Sequence, residues 1–229
     1  MGFSSKTATT ITAWSFSRWN TYVKCPRKAY YKFVMKMKEE SGPAAERGSM
    51  IDKVLETMLL ARKMPAKLIP EVRAVRRHVE KLRAAKAKPQ VELAVNSAWR
   101  VTGWFAPDTW CRVKIDALAF KGKLAGVTDW KSGKYKPDNP SYDLQLNLYG
   151  TGVLAAYPKV EEVETRLVFT DHKGKGPIKI YTRDELEEMK KAWEARVRPM
   201  LSDRRFAPLP SYECTYCAFS KKRKGPCNF

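Results

Sequence analysis

The chain has 229 residues, 44% of them hydrophobic, which is enough to bury a core and excludes disorder over most of its length. Its 44 Lys and Arg against 24 Asp and Glu leave a formal charge of +20, far beyond what solubility requires, so a polyanion is the natural partner. Residues 1–14 lack the apolar core of a secretory signal, Lys6 stands where myristoylation of Gly2 prefers Ser or Thr, and no apolar run reaches the roughly 18 residues of a membrane span; a soluble, cytoplasmic chain with no membrane contact is expected.

In chain order, Ser15 and Ser17 can cap a helix in which Trp19, Tyr22, Tyr30, Tyr31 and Phe33 interleave with Lys24, Arg27, Lys28 and Lys32. That face suits base stacking with phosphate contact, or equally an amphipathic core helix with solvated lysines. Gly42 and Pro43 end the segment. A helix from about Glu46 then carries Met50, Val54, Leu55, Met58 and Leu59 at helical spacing, with Asp52 and Glu56 four apart on one face. A third helix, from Pro70 to about Lys86, presents Arg73, Arg76, Arg77, Lys81 and Arg83 for solvation or for phosphate. From Val91 the period changes to two, and 91–95, 100–105, 110–120 and 123–130 read as antiparallel strands. Asn139 and Pro140 open a helix to about Ala156, on which Gln145 and Tyr149 share a face. Strands at 164–170 and 178–181 follow, and Thr182 to Glu185 form a capping box for a helix to about Leu201. The elements make an α/β chain with helices over a sheet, one domain divided into a helical region 1–88, a core 89–203 and a cysteine tail 204–229.

The segment from Val113 to Lys131 carries the chemistry. If Lys121 and Gly122 form a two-residue hairpin loop, Phe120 faces Lys123 and residue 129 lies opposite 114. Asp116 is then a diagonal neighbour of Asp129, with Cα atoms on the order of 7–8 Å apart. Lys131 shares their face by the period-two rule, and a slip of one residue would destroy the arrangement. Two converging carboxylates beside a lysine suit Mg²⁺, a hard cation that prefers oxygen. Such an ion lowers the pKa of a water and offsets charge on the phosphorane, while the lysine orients the nucleophile or stabilises that charge.

Five cysteines are too few for a disulfide scaffold, and an odd number in a reducing compartment points to metal or cluster ligation. Cys214 and Cys217 can reach one ion from a single turn, Cys227 follows as a third ligand, and Cys25, just before the helix-breaking Pro26, is the best fourth. Free thiols are the alternative. Cys111, inside an expected strand, serves packing.

In ordered combination, the stretch from Ser15 to Asn20, Cys25-Pro-Arg-Lys-Ala-Tyr-Tyr31, Arg47-Gly-Ser-Met-Ile-Asp52, Asp116, Asp129-Trp-Lys131-Ser-Gly-Lys134, Gln145-x3-Tyr149 and the terminal cysteines resemble the PD-(D/E)XK nuclease superfamily. The resemblance is to its RecB-like branch, which includes the RecB and AddB nuclease domains, CRISPR-associated exonucleases and phage-encoded relatives. It implies a restriction-endonuclease-like core with a central mixed β-sheet flanked by helices. It also implies a Mg²⁺- or Mn²⁺-dependent deoxyribonuclease, expected to be an exonuclease of recombination, replication or turnover, with DNA as partner. Asp116, Asp129 and the Trp130 backbone carbonyl are implied as metal ligands, Lys131 as the catalytic lysine, and Gln145 with Tyr149 as active-site or DNA-positioning residues, a helix packing face being the other reading of that pair.

Two departures stand out. Where the family commonly has a metal-binding histidine, this chain has Asp52, an oxygen ligand for Mg²⁺, with Glu56 the substitute one turn later; a catalytically silent DNA-binding protein is the rival reading. The spacing Cys214-x2-Cys217-x9-Cys227 exceeds the Cys-x2-Cys-x5-Cys of four-cysteine [4Fe–4S] clusters in this branch. The Lys221 to Lys224 insert can loop out, with Gly225 and Pro226 turning the chain back. A [4Fe–4S] cluster, zinc or an empty site stay open.

Overall fold

The computed structural model describes residues 10–40, 42–61, 64–65 and 67–229; the readings at Gly2 and Lys6 lie outside them. The chain divides into two compact units, one drawn from the described part of Met1–Glu40 with Ala192–Phe229, the other from the described part of Ser41–Lys191. The smaller unit thus unites the N-terminal segment with the cysteine tail, a grouping absent from the linear partition at 88 and 203.

In the larger unit, β1 (Lys88–Val95), β2 (Cys111–Lys121), β3 (Leu124–Lys131), β4 (Glu162–Phe169) and β5 (Ile178–Thr182) form one sheet in sequence order. β3 and β4 run parallel and the other neighbours antiparallel, so the sheet is mixed, as expected. A parallel step needs a crossover, which α6 (Pro140–Ala156) supplies. Asn139 caps α6 by accepting from the Ser141 N–H at 3.1 Å, and Pro140 occupies the first position, where a missing N–H costs nothing. Glycines let this helix lie close to the sheet. A Cβ at Gly152 would stand 3.1 Å from the Val113 side chain, and one at Gly150 would stand 2.6 Å from the Tyr181 ring.

α3 (Pro43–Leu60) begins three residues before the expected start, because Pro43 takes its first position instead of only closing the preceding segment. The expected third helix is two, α4 (Pro70–Ala74) and α5 (Arg76–Ala84), broken at Val75, where φ is −109° and ψ 9°. At the break the Val75 N–H donates three residues back, to the Val72 carbonyl at 3.1 Å, yet Val72, Val75, Val79 and Leu82 keep the spacing of one helical face and join Ile51, Leu55 and Met58 in a core that includes Ala117, Trp130 and Val168. Behind β3, His78 pairs with Thr128 Oγ1 at 3.2 Å and meets the Trp130 ring edge-on, and burial pushes its imidazole down to about 4. The strand expected at 100–105 is absent apart from one bridge, Val95 to Val101. Side chains claim the backbone there: Asn96 Oδ1 accepts from the N–H groups of Ala98 and Arg100, and Thr102 donates to Asp108 at 2.8 Å.

The smaller unit contains α1 (Phe16–Lys24), capped by Ser15, α2 (Pro26–Ala29), a π turn over Tyr30–Val34 and the end of α7 (Leu186–Ser202). Its core is aromatic. Trp14 stacks on Trp193 at 5.3 Å, Trp19 meets the same ring edge-on at 5.5 Å, Tyr22 and Tyr30 pack on Phe206, and Tyr31 packs on Phe219. Of the two readings of this aromatic face, the structure therefore supports the core helix. The Thr182–Glu185 box forms as expected, with the Glu185 carboxylate accepting from the Thr182 N–H at 2.6 Å, and α7 follows it. Among the described residues no helix is long and apolar enough to cross a membrane.

Candidate active site

The β2–β3 loop is Gly122–Lys123, since Lys121 pairs with Leu124. Gly122 has φ of +60°, the positive value that a type II′ turn needs at its first loop position. The register therefore differs by two residues from the expected one. A shift of two preserves the side-chain face, so the constellation survives. Continued one position past its last pair, Ala117 with Thr128, the ladder sets Asp116 opposite Asp129 instead of diagonal to it. There the Trp130 N–H donates to Asp116 Oδ2 at 2.9 Å, which draws the carboxylate across to β3.

Asp129 is 5% exposed and is held from two sides. Lys131 Nζ lies 2.6 Å from Asp129 Oδ2. Tyr149, buried on α6, donates its phenol to Asp129 Oδ1, and the Gln145 amide reaches Tyr149 Oη at 2.8 Å and Asp129 Oδ1 at 3.4 Å. The i, i+4 spacing of Gln145 and Tyr149 makes this possible, because both then leave one face of α6. Asp52 joins from α3. Gly48, four residues earlier, brings that helix against the residue after Lys131: a Cβ there would meet Ser132 Oγ at 3.1 Å.

Massing carboxylates raises their proton affinity. Burial and then Asp129 push the Asp116 carboxyl up to about 7, and the same two causes push Asp52 up to about 6. Burial alone would lower Lys131, but Asp129 and Asp116 more than offset it and lift the ammonium above its ordinary value. Burial and Asp129 raise the Tyr149 phenol well above its own, so it stays a donor.

The structure thus gathers Asp52, Asp116, Asp129, Lys131, Gln145 and Tyr149. Glu56, one turn beyond Asp52, is half-buried and joins none of these hydrogen bonds or ion pairs. Sequence reasoning passed over Lys114, two residues before Asp116, whose charge counters the rise at Asp52; the period-two rule was signal enough to find it. Arg47, quoted there only as the start of a motif, donates to Asp171 at 2.7 and 2.9 Å and to Glu71 at 2.7 Å, while Asp171 Oδ2 accepts from the Gly133 N–H at 2.7 Å. This clamp ties the start of α3 to the turn after Lys131, and no local pattern marks residues so far apart in sequence.

Among the described residues, no group of three or more His, Cys, Asp and Glu side chains stands at the spacing of an assembled metal site. The donor set nonetheless suits a hard cation. The three carboxylates repel one another, a cost that a divalent ion would relieve.

In the smaller unit, Cys25, Cys214, Cys217 and Cys227 all line one cavity of about 250 Å³, beside Lys24 and Glu213. The insert loops out and returns: Gly225 N–H donates to the Ser220 carbonyl at 2.8 Å and Cys227 N–H to the Phe219 carbonyl at 2.9 Å, which sets Cys227 beside the Cys217 turn. Gly225 is required for this close return, since a Cβ there would stand 2.3 Å from Phe219 backbone. Among the described residues, none pairs with Ser220 Oγ, which is buried against the same cavity. Four soft sulfur donors around one space fit a cluster or a soft metal. Cys111 lies apart, fully buried in β2.

The profile of the PD-(D/E)XK nuclease superfamily matches residues 13–221, and the chain belongs to that superfamily. Membership supports a nuclease, and members generally use divalent metal ions such as Mg²⁺. Among solved structures, the Eubacterium rectale protein named "Putative exonuclease" is 15% identical, with a TM-score of 0.53 over 95% of this chain and 92% of its own. An alkaline exonuclease from Laribacter hongkongensis is 12% identical, with a TM-score of 0.38 over 84% of this chain and 91% of its own. At such identity the first likeness speaks for the fold alone, and the second carries no argument. A search of the curated proteins finds no match.

Proposed function

We propose that the chain is a Mg²⁺- or Mn²⁺-dependent deoxyribonuclease that hydrolyses DNA from its ends, with Asp116, Asp129 and Lys131 as its catalytic core. The observation that carries this reading is the convergence of the buried Asp129 carboxylate, the half-buried Asp116 carboxylate and a lysine ammonium held 2.6 Å from Asp129. Asp116 and Asp129 would hold the divalent ion, with the Trp130 carbonyl and Asp52 as further oxygen donors. When bound, the ion supplies a lowered water pKa and positive charge for the phosphorane.

The chain's own groups do the positioning. Tyr149 and Gln145 hold Asp129 Oδ1 while Lys131 stands at Oδ2, so the orientation of the carboxylate is fixed from both sides. Lys131 keeps its proton, so its ammonium offers charge to a non-bridging phosphate oxygen as negative charge builds there. Asp52 in place of histidine keeps the donor set all oxygen and favours hard ions. The resemblance of the ordered motifs to RecB-like nucleases supports action from ends, and the name of the Eubacterium rectale neighbour makes it the mode to test first. In the smaller unit, we propose that Cys25, Cys214, Cys217 and Cys227 bind a [4Fe–4S] cluster that ties the N-terminal helix to the tail.

Incubation with end-labelled linear and covalently closed circular DNA, with Mg²⁺, Mn²⁺ or EDTA, tests the assignment. Metal-dependent products from the linear substrate only are expected. Cutting of circles would replace end-dependent action with endonuclease action, and no products with either metal would favour a silent DNA-binding protein.

A further inference from the structure

A second cavity, of about 500 Å³, lies between the α4–α5 break and the turn after β4, lined by Arg73, Arg77, His78, Lys81 and Lys173 with no acidic side chain. Its cations are unneutralised. Among the described residues no carboxylate forms an ion pair with Arg73, Arg77, Lys81 or Lys173, whereas the neighbouring Arg76 is already paired with Glu80 at 2.8 Å. Arg73 spends one N–H on the Leu68 carbonyl at 3.2 Å, which fixes its guanidinium in place. Like charges gathered around one space repel one another, and an anion entering it removes that cost. The floor is His78, neutral because of its burial, so it adds no further repulsion.

The cavity is separate from the hydrolytic carboxylates. His78 meets Thr128 and Trp130, the residues on either side of Asp129, and successive strand residues point to opposite faces. It is nonetheless near. Gly133, two residues past Lys131, donates to Asp171, and Lys173 follows two residues later. With about 3.8 Å between successive Cα atoms, this path puts Lys173 within roughly 20 Å of Lys131. At about 3.4 Å of duplex axis per step, that is a reach of at most about six nucleotides.

We propose that this cavity is a second phosphate-binding site, which grips the DNA backbone several nucleotides from the bond being cut. The proposal rests on DNA being the substrate and assigns a use to the basic face of α4 and α5. A single mononucleotide in the hydrolytic site could not reach it, whereas a polymer could occupy both.

The test is equilibrium binding of a short fluorescein-labelled duplex in EDTA, over a range of salt concentrations, with dAMP as a second probe. Each lost phosphate contact reduces the slope of log K against log salt by about 0.9. The double variant Arg77→Glu/Lys81→Glu is expected to bind the duplex at least tenfold more weakly, with a slope shallower by about two. Lys173→Glu, on a different element, is expected to reduce the slope by about one. Lys159→Glu, an exposed charge reversal elsewhere, should leave the slope unchanged. Slopes equal to wild type, or reduced equally by Lys159→Glu, would overturn the proposal. So would loss of dAMP binding with duplex binding intact, which would assign the cavity to free nucleotides. Because EDTA prevents cleavage, a chain that hydrolyses nothing still decides this question, so the two readings fail separately.

Discussion

Lys131→Ala is expected to slow DNA cleavage at least about a hundredfold, equivalent to roughly 3 kcal/mol of transition-state stabilisation, while duplex affinity in EDTA changes little. Affinity should persist because one ammonium is a small part of a chain whose net charge is +20. The rate should fall because the Lys131 ammonium is the cation that Asp129 already holds at 2.6 Å, next to an Asp116 carboxyl raised to about 7. Lys131→Arg would keep the charge but replace a compact point donor with a planar fork beside an Asp129 carboxylate already held by Tyr149, so it should recover only part of the activity. Quenched-flow cleavage of end-labelled DNA separates these outcomes. A variant as fast as wild type would remove Lys131 from catalysis.

The second large effect belongs to the cysteines. Serine at Cys25, Cys214, Cys217 or Cys227 is expected to lose the iron and acid-labile sulfide of anaerobically purified protein, together with its visible absorption. Cys111→Ser should keep them, because that thiol lies buried in β2. A tie between Cys25 and Cys214 closes a loop of about 190 residues, which the chain-entropy relation for cross-links values at about 5 kcal/mol. Since about 1 kcal/mol moves the midpoint of a chain this size by roughly 2–4 °C, each of the four variants should melt at least about 10 °C lower. Wild-type protein reconstituted with iron and sulfide that takes up neither would contradict the cluster assignment.

Legibility in the sequence followed locality. Asp129 with Lys131, and Gln145 with Tyr149, are pairs at strand and helix periods, and both appear on the faces those periods require. The hairpin register was ambiguous because Lys121–Gly122 and Gly122–Lys123 both offer the glycine its positive φ; only pairing along the whole strands selects the second. Alternation at 100–105 imitated a strand, but the Asn96, Thr102 and Asp108 side chains hold that segment as a loop. The single helix expected over α4 and α5 lacks any local breaker, and its apolar face runs on through Val72, Val75, Val79 and Leu82, so the interruption at Val75 left no mark in the pattern. The Arg47–Asp171 clamp and the return of Cys227 beside Phe219 depend on contacts that no short window contains.

Anomalous diffraction from crystals grown with Mn²⁺ examines the hydrolytic centre most directly. An ion held by the Asp116 and Asp129 carboxylates is the expected result. An ion bound elsewhere, or none at saturating Mn²⁺ with the two carboxylates turned to different surfaces, would contradict it.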